Sequence, residues 1–286
     1  MSHPPSSTTS VPPPSPLATA EPWDLVSDAY SAEALPYFEK FAREALRIAA
    51  LPQGARIVDV AAGPGTLSLL AAAAGARVSA IDFSEQMVQR CRGRALEAGV
   101  ADALEIRQGD GQHLPFESAA YDGAFSMFGL MFFPDRLAGL REMRRVLRPG
   151  CPGVISSWVP FDGPFGTLLG ALRDELPALP LAGGKPPLAS ADEIRTEMAA
   201  AGFDAVRVET VDIPITAPSF DAFWDSMERT NAPMVLVKHR LGARWPEVAA
   251  RVRERVRATV GDGPVTTGRG AFLGIGSAGA SARDAR

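Results

Sequence analysis

The chain has 286 residues, 46% of them apolar and 22% charged, the composition of an ordinary globular protein with length enough for a sizeable core. Its 29 basic and 33 acidic side chains leave a net charge of −4, which argues against a dedicated nucleic-acid binder. Two cysteines, Cys91 and Cys151, are too few for a disulfide scaffold and point to a reducing, cytoplasmic setting, and no uninterrupted apolar run reaches the roughly 18 residues of a membrane span.

Residues 1–20 hold six Pro, five Ser and three Thr and no Lys, Arg, Asp or Glu. Such a segment cannot bury enough apolar surface to offset its ordering entropy, and it reads as a disordered tail. It lacks the basic start and apolar stretch of a signal peptide, and the Arg of an organellar presequence. Residues 21–286 read as one domain. A helical cover over 21–50 comes first, with Tyr37, Phe38, Phe41, Leu46 and Ile48 apolar and a break near Pro36. Strands and helices then alternate: strand 56–62, helix 66–74, strand 77–82, helix 84–97 with Ser84 as N-cap, strand 103–107, strand 121–127, helix 135–147 and strand 153–158. Further on, 205–211 reads as a strand, 219–260 as helices, 269–275 as a last strand and 277–286 as a flexible end. The alternation predicts an α/β fold with a mostly parallel sheet and helices on both faces.

The first strand runs into Val-Asp-Val-Ala-Ala-Gly-Pro-Gly-Thr over residues 58–66. Gly63 and Gly65, at a strand-to-helix turn, let a ligand approach the backbone, and the helix start beyond them offers free N–H groups and a positive dipole end. Asp82 ends the next strand, 19 residues after Gly63, where a carboxylate accepts hydrogen bonds from both hydroxyls of a ribose. These features together indicate a nucleoside-containing ligand. A dinucleotide fingerprint would place a third glycine where this chain has Ser68. Asp59, inside the strand, would repel a pyrophosphate and attract an ammonium group. The turn therefore suits a zwitterionic or cationic ligand.

With these residues in place, the sequence resembles the class I S-adenosylmethionine-dependent methyltransferases of the ubiquinone/menaquinone-biosynthesis type. Four ordered motifs carry the resemblance: residues 58–66; Ser-Ala-Ile-Asp-Phe-Ser-Glu-Gln-Met over 79–87; Gln-Gly-Asp-Gly-Gln-His-Leu-Pro-Phe over 108–116; and Glu-Met-Arg-Arg-Val-Leu-Arg-Pro-Gly over 142–150. The resemblance implies a Rossmann-like, doubly wound sheet of seven strands with the last antiparallel. It implies a cofactor-binding core over 51–158, and substrate-cap insertions over 159–189 and 212–265, the second a helical lid between the last two strands. It also implies S-adenosylmethionine as cofactor, S-adenosylhomocysteine as product and no metal. By the same resemblance Ala61, Gly63 and Gly65 line the methionine part of the cofactor and Asp59 orders its amino group. Asp82 holds the ribose, and Phe83 packs on the adenine beside Met87. Asp110 accepts from the adenine amino group between Gly109 and Gly111, Ser126 and Met127 flank the methionine arm, and Tyr30 covers the cofactor.

What is missing narrows the chemistry. No Asn/Asp-Pro-Pro-Tyr/Phe follows the fourth strand, which removes the usual signature of methylation at a nucleobase amine, and no Pro-Cys nucleophile stands there. His3 lies in the tail, His113 at a variable position of the third motif, and His239 among Lys238 and Arg240. No catalytic residue is assigned; Tyr30 and His239 are the candidates for one. Residues 238–257 hold seven Lys/Arg against two Glu and read as a solvated helix face. Tyr37, Phe128, Trp158, Phe161, Phe165, Phe220, Phe223, Trp224, Met227, Pro233 and Met234 are the candidates for an apolar acceptor pocket. The expected activity is direct, in-line methyl transfer to a small apolar or aromatic acceptor, on oxygen or carbon before nitrogen, with no nucleic-acid partner. Two alternatives stand beside it. A nicotinamide-dependent Rossmann oxidoreductase is disfavoured by Ser68 and Asp59, and a non-catalytic S-adenosylmethionine-binding partner protein by the intact motifs.

Overall fold

The computed structural model describes residues 15–160, 163–177 and 186–279. Five strands lie parallel: β1 (Arg56–Val60), β2 (Arg77–Asp82), β3 (Leu104–Gln108), β4 (Gly123–Met127) and β5 (Pro152–Trp158). Two long strands, β6 (Phe203–Ala217) and β7 (Val265–Ala278), complete a seven-stranded sheet of order β3-β2-β1-β4-β5-β7-β6, with β7 antiparallel to both neighbours. The strand order reverses at β1, which lies between β2 and β4. The crevice beyond the carboxyl ends of such neighbouring strands is where ligands bind in sheets of this kind.

Alternation along the central strands sends apolar side chains to both faces, and each face is closed by helices. Val58, Val60, Ala124 and Ile155 pack with α5 (Arg136–Val146) and α7 (Ala191–Ala200) through Leu140, Met143, Ile194 and Met198. Ile57, Phe125, Val154 and Leu273 pack with α2 (Leu35–Ala49) and α3 (Thr66–Ala73) through Ala45, Ile48, Leu67 and Ala71. Before α2 comes α1 (Glu21–Ala29), and a π-helical turn, Tyr30–Ala34, joins the two. Between β2 and β3 lies α4 (Glu85–Glu97), whose N-cap Ser84 accepts from the Met87 N–H at 3.0 Å. No described helix is long and apolar enough to cross a membrane.

The cap has a core of its own. It comprises α6 (Gly163–Glu175) after β5, and α8 (Phe220–Thr230), α9 (Ala232–Leu241) and α10 (Trp245–Val260) between β6 and β7. Leu168, Leu172, Trp224, Met234, Val252 and Val256 form the centre of that second core.

Several boundaries differ from expectation. The break predicted near Pro36 is the π-helical turn before it, with Pro36 itself in the first turn of α2. The tail assigned to residues 1–20 ends sooner: Pro16–Ala18 form a 3₁₀ turn, held because the Trp23 indole N–H donates to the Leu17 carbonyl at 3.0 Å. At the other end Ser277 and Ala278 belong to β7, and the Ala278 N–H donates to the Cys151 carbonyl at 2.9 Å. The cap insertion predicted over 212–265 is narrower, because β6 continues to Ala217 and β7 begins at Val265. Pro214, which reads as a strand breaker, is tolerated because β6 is the edge of the sheet and needs no donor on its outer side. Helix α7 was not anticipated, although Ser190 caps it by accepting from the Glu193 N–H at 3.3 Å.

Candidate active site

The end of β1 and the start of α3 form a cradle. Gly63 and Gly65 both have positive φ, 55° and 80°, and a Cβ at Gly65 would lie 2.5 Å from the Cys91 sulfur, so only glycine fits there. At Gly63 a Cβ would meet nothing within 4 Å, which leaves that side of the turn open. Ala61 at the end of β1 and Phe128 at the end of β4 also adopt positive φ, 55° and 59°. Left-handed backbone at non-glycine residues costs energy and tends to cluster at functional sites. Here the two strained residues close the ends of neighbouring strands, and Gly129 is needed because a Cβ there would lie 2.4 Å from the Ala61 Cβ.

Two buried carboxylates face this turn. Asp82 accepts from the Gly63 N–H at 2.8 Å and from the Ser84 N–H at 2.9 Å. Asp59 accepts from the Ser68 hydroxyl at 2.6 Å. Burial pushes both upward, Asp59 to about 7 and Asp82 to about 6, against the lowering effect of those hydrogen bonds. Ser68, the residue that breaks the dinucleotide fingerprint, is thus the partner that orients Asp59. Nearby, the Ser126 hydroxyl is fully buried at the end of β4 with no hydrogen-bond partner. Two buried carboxylates with no ion pair among the described residues, an orphaned hydroxyl and an open glycine turn fit a ligand that brings an ammonium group and hydroxyl donors.

The other expected cofactor residues fall around this cradle with varied roles. Phe83 is half-buried beside Asp82, and Met87 is buried in the first turn of α4. Gly109 follows β3, its N–H donating to the Asp82 carbonyl at 2.9 Å, and Gly111 lies under Phe133, where a Cβ would clash at 2.5 Å. Asp110 is exposed and closes its own turn by accepting from the Gln112 N–H at 2.8 Å. Met127 is half-buried at the last position of β4, and Tyr30 starts the π-helical turn.

A wall of aromatic rings stands at the ends of β4 and β5. Phe128 and Trp158 stack with centroids 4.0 Å apart, and Phe38 meets them edge-on at 5.4 and 5.8 Å. Phe41 lies 5.3 Å from Phe128, Tyr37 6.4 Å from Trp158, and Tyr30 5.1 Å from Phe38. The Phe128 N–H donates to the Ser156 hydroxyl at 2.8 Å, which helps hold the strained turn that aims its ring. Tyr37, Phe128 and Trp158 are therefore brought together. Phe38 and Phe41, read from the sequence only as apolar helix positions, belong with them through their ring contacts to Phe128 and Trp158.

The cap residues go elsewhere. Phe220, Phe223, Trp224 and Met234 are between 0 and 3% exposed inside the cap core, with Met227 packed against it. Phe165 is buried on α6, Pro233 is half-buried in the first turn of α9, and Phe161 lies outside the described residues. The expectation that Phe220, Phe223, Trp224 and Met234 line a pocket is corrected: four helices without their own apolar centre could not stand on the sheet, and these rings supply it. His239 is exposed in the last turn of α9, and His113 is exposed beside Asp110, so neither lies in the aromatic wall. Most of the basic run is ion-paired: Arg251 with Glu175 and Glu247, Arg253 with Asp221, Arg255 with Asp174. A residue that sequence reasoning missed is Asp24 of α1, which accepts a hydrogen bond from the Ser84 hydroxyl.

Residues 57–150 match the family described as a methyltransferase domain. An uncharacterized protein of Mycobacterium tuberculosis is 37% identical over 131 residues, 46% of this chain and 47% of that protein. The demethylmenaquinone methyltransferase of Clavibacter sepedonicus is 44% identical over 97 residues, 34% of this chain and 38% of that protein. The aligned region thus spans about half the length, or less, of these curated relatives. Among solved structures, the YcgJ protein of Bacillus subtilis superposes with a TM-score of 0.59 at 18% identity, covering 84% of this chain and 98% of that one. The [4+2]-cyclase SpnF superposes with a TM-score of 0.62 at 18% identity, covering 94% and 99%. The fold is therefore that of the Rossmann-like methyltransferases. Residues 57–150 thus match a methyltransferase domain, and the chain is similar over part of its length to a demethylmenaquinone methyltransferase.

Proposed function

We propose that the protein moves a methyl group from S-adenosylmethionine to a small aromatic acceptor, on oxygen or carbon, by direct in-line displacement. The observation that carries this reading is the stacked Phe128–Trp158 pair, with Phe38 and Tyr37 beside it, at the strand ends next to the glycine cradle. Offset and edge-on ring contacts favour a planar aromatic guest.

The bound cofactor supplies an electrophilic methyl group. The chain supplies alignment. In this reading Asp82 accepts from the ribose hydroxyls, Asp59 places its negative charge against the ammonium group, Ser126 finds its missing partner there, and Gly63 and Gly65 let the ligand lie on the backbone. The aromatic wall excludes water and holds the acceptor within reach. Among the described residues the wall carries no carboxylate or imidazole, only the hydroxyls of Tyr30 and Tyr37. That favours an acceptor whose proton is easily lost, such as a phenol, a hydroquinone or an enolisable polyketide. A reducing, cytoplasmic setting goes with this reading, since Cys91 and Cys151 are free thiols.

The test is methyl transfer from labelled cofactor to a panel of phenols, hydroquinones and polyketides, read by product mass. Trp158→Ala should lower turnover at least about tenfold while leaving S-adenosylhomocysteine affinity within about threefold. Methylation of a nucleic acid or peptide with none of the panel, or full activity in Trp158→Ala, would overturn the reading.

A further inference from the structure

The cover, α1 with the π-helical turn after it, touches both halves of the site. On the core side Asp24 accepts from the Ser84 hydroxyl, Asp28 pairs with Arg90 of α4, and the Trp23 ring lies 5.0 Å from Phe132 beyond β4. On the cap side Glu21 pairs with Arg240 of α9 at 3.1 Å, and Glu33 with Arg229 of α8 at 2.7 Å. Between these two sets of contacts stands Tyr30, packed on Phe38 of the aromatic wall.

These contacts are not equivalent. The three ion pairs involve exposed arginines, and exposed pairs contribute little. Ser84 is fully buried, caps α4 and gives its N–H to Asp82, so Asp24 stands one residue away from the carboxylate that faces the cradle. Asp24 and Asp82 both bond to Ser84, so like charge works against closure until a ligand brings donors and positive charge. A ligand shifts a conformational equilibrium only by binding one state better, and here the donors and positive charge it brings offset the like charge that opposes the closed state. The π-helical turn, an irregular hydrogen-bonding register within an otherwise continuous helical run, is the natural pivot.

We propose that Asp24 is a positioning residue: through Ser84 it draws the cover onto the filled cofactor cradle, and the cover then sets Tyr30 and the cap against the acceptor wall. Cofactor occupancy is thereby coupled to the acceptor half of the site. The proposal rests on the cofactor reading above.

Hydrogen exchange of the full chain, with and without saturating S-adenosylhomocysteine, tests it. In the wild type the ligand should slow exchange in the cradle, residues 58–66 and 79–87. It should also slow exchange about tenfold in α8 and α9, which lie outside the cradle. Asp24→Ala should bind the ligand about tenfold more weakly and, at saturation, protect the cradle but not α8 and α9. Asp24→Asn keeps an oxygen acceptor for Ser84 and removes the like charge, so its α8 and α9 should already exchange slowly without ligand. Ser84→Gly removes the same bond from the other side while leaving a tolerated N-cap residue, and should behave like Asp24→Ala. Unchanged α8 and α9 exchange in the ligand-bound wild type, or wild-type cap protection in Asp24→Ala, would overturn the proposal. Absence of binding to the wild type would instead overturn the cofactor reading.

Discussion

In the cradle, Gly65 and Asp82 are fixed by local demands of backbone and hydrogen bonding, whereas in the cap the aromatic residues share the work of filling a core. Gly65 is glycine because of its φ of 80° and the sulfur of Cys91 behind it, and Asp82 is held by two backbone N–H groups. Trp224, by contrast, is buried at 2% among valines and leucines of α6 and α10, where another large apolar side chain would do similar work. Function and stability are therefore separable by region. Changes in the cap should act on folding first, and changes in the cradle on ligand binding.

The largest effect expected is at Trp224. Trp224→Ala leaves a cavity in the cap core and should cost about 3–5 kcal/mol, seen as an early unfolding transition of the cap in chemical denaturation. If the cap and sheet melted together with no loss, the two-core description would break. Next comes Gly65→Ala, which adds left-handed strain of ~1 kcal/mol to a clash with Cys91 and should cost about 2–4 kcal/mol in all. The paired variant Gly65→Ala/Cys91→Ala should recover the steric part but not the strain, and full recovery would show that φ does not matter there.

A pH effect of about tenfold follows from the buried carboxylates. Burial holds Asp82 at about 6 and Asp59 at about 7 in the folded chain, above the 3.8 of an unperturbed aspartate. The folded protein thus binds more protons than the unfolded chain between these limits, and its ligand-free stability should fall as pH rises through 6 and 7. A ligand with an ammonium group and ribose hydroxyls favours the ionised carboxylates, so S-adenosylhomocysteine should bind about tenfold tighter at pH 7 than at pH 5. An affinity that does not move over this range in the wild type would contradict the assignment. The smallest effect belongs to the cap surface: Arg255→Ala breaks an exposed pair with Asp174 and should cost less than about 1 kcal/mol.

The same contrast explains what could be read from the sequence. Glycines, the Asp82 strand end and the Ser84 cap are signals of short range, and the structure places them around one cradle. The extents of β6 and β7 were not legible, because 13 residues of β6 register pair with β7 through tertiary contact and Pro214 reads as a break until the strand is known to be an edge. Asp24 carries no motif of its own; its position becomes meaningful only when the cover folds back across 60 residues of chain to Ser84. Helix α7 is legible at its start, where Ser190 and Glu193 stand at capping-box spacing. Phe220 and Phe128 look alike in sequence and both are buried; only packing puts the first in the cap core and the second at a strand end.

The most direct test of the division between cradle and cap is calorimetric titration of S-adenosylhomocysteine into the wild type, Asp82→Ala and Trp224→Ala. Micromolar binding to the wild type is predicted, weakened at least about tenfold (~1.4 kcal/mol) in Asp82→Ala and unchanged within about threefold in folded Trp224→Ala. No binding to the wild type, or wild-type affinity in Asp82→Ala, would contradict it.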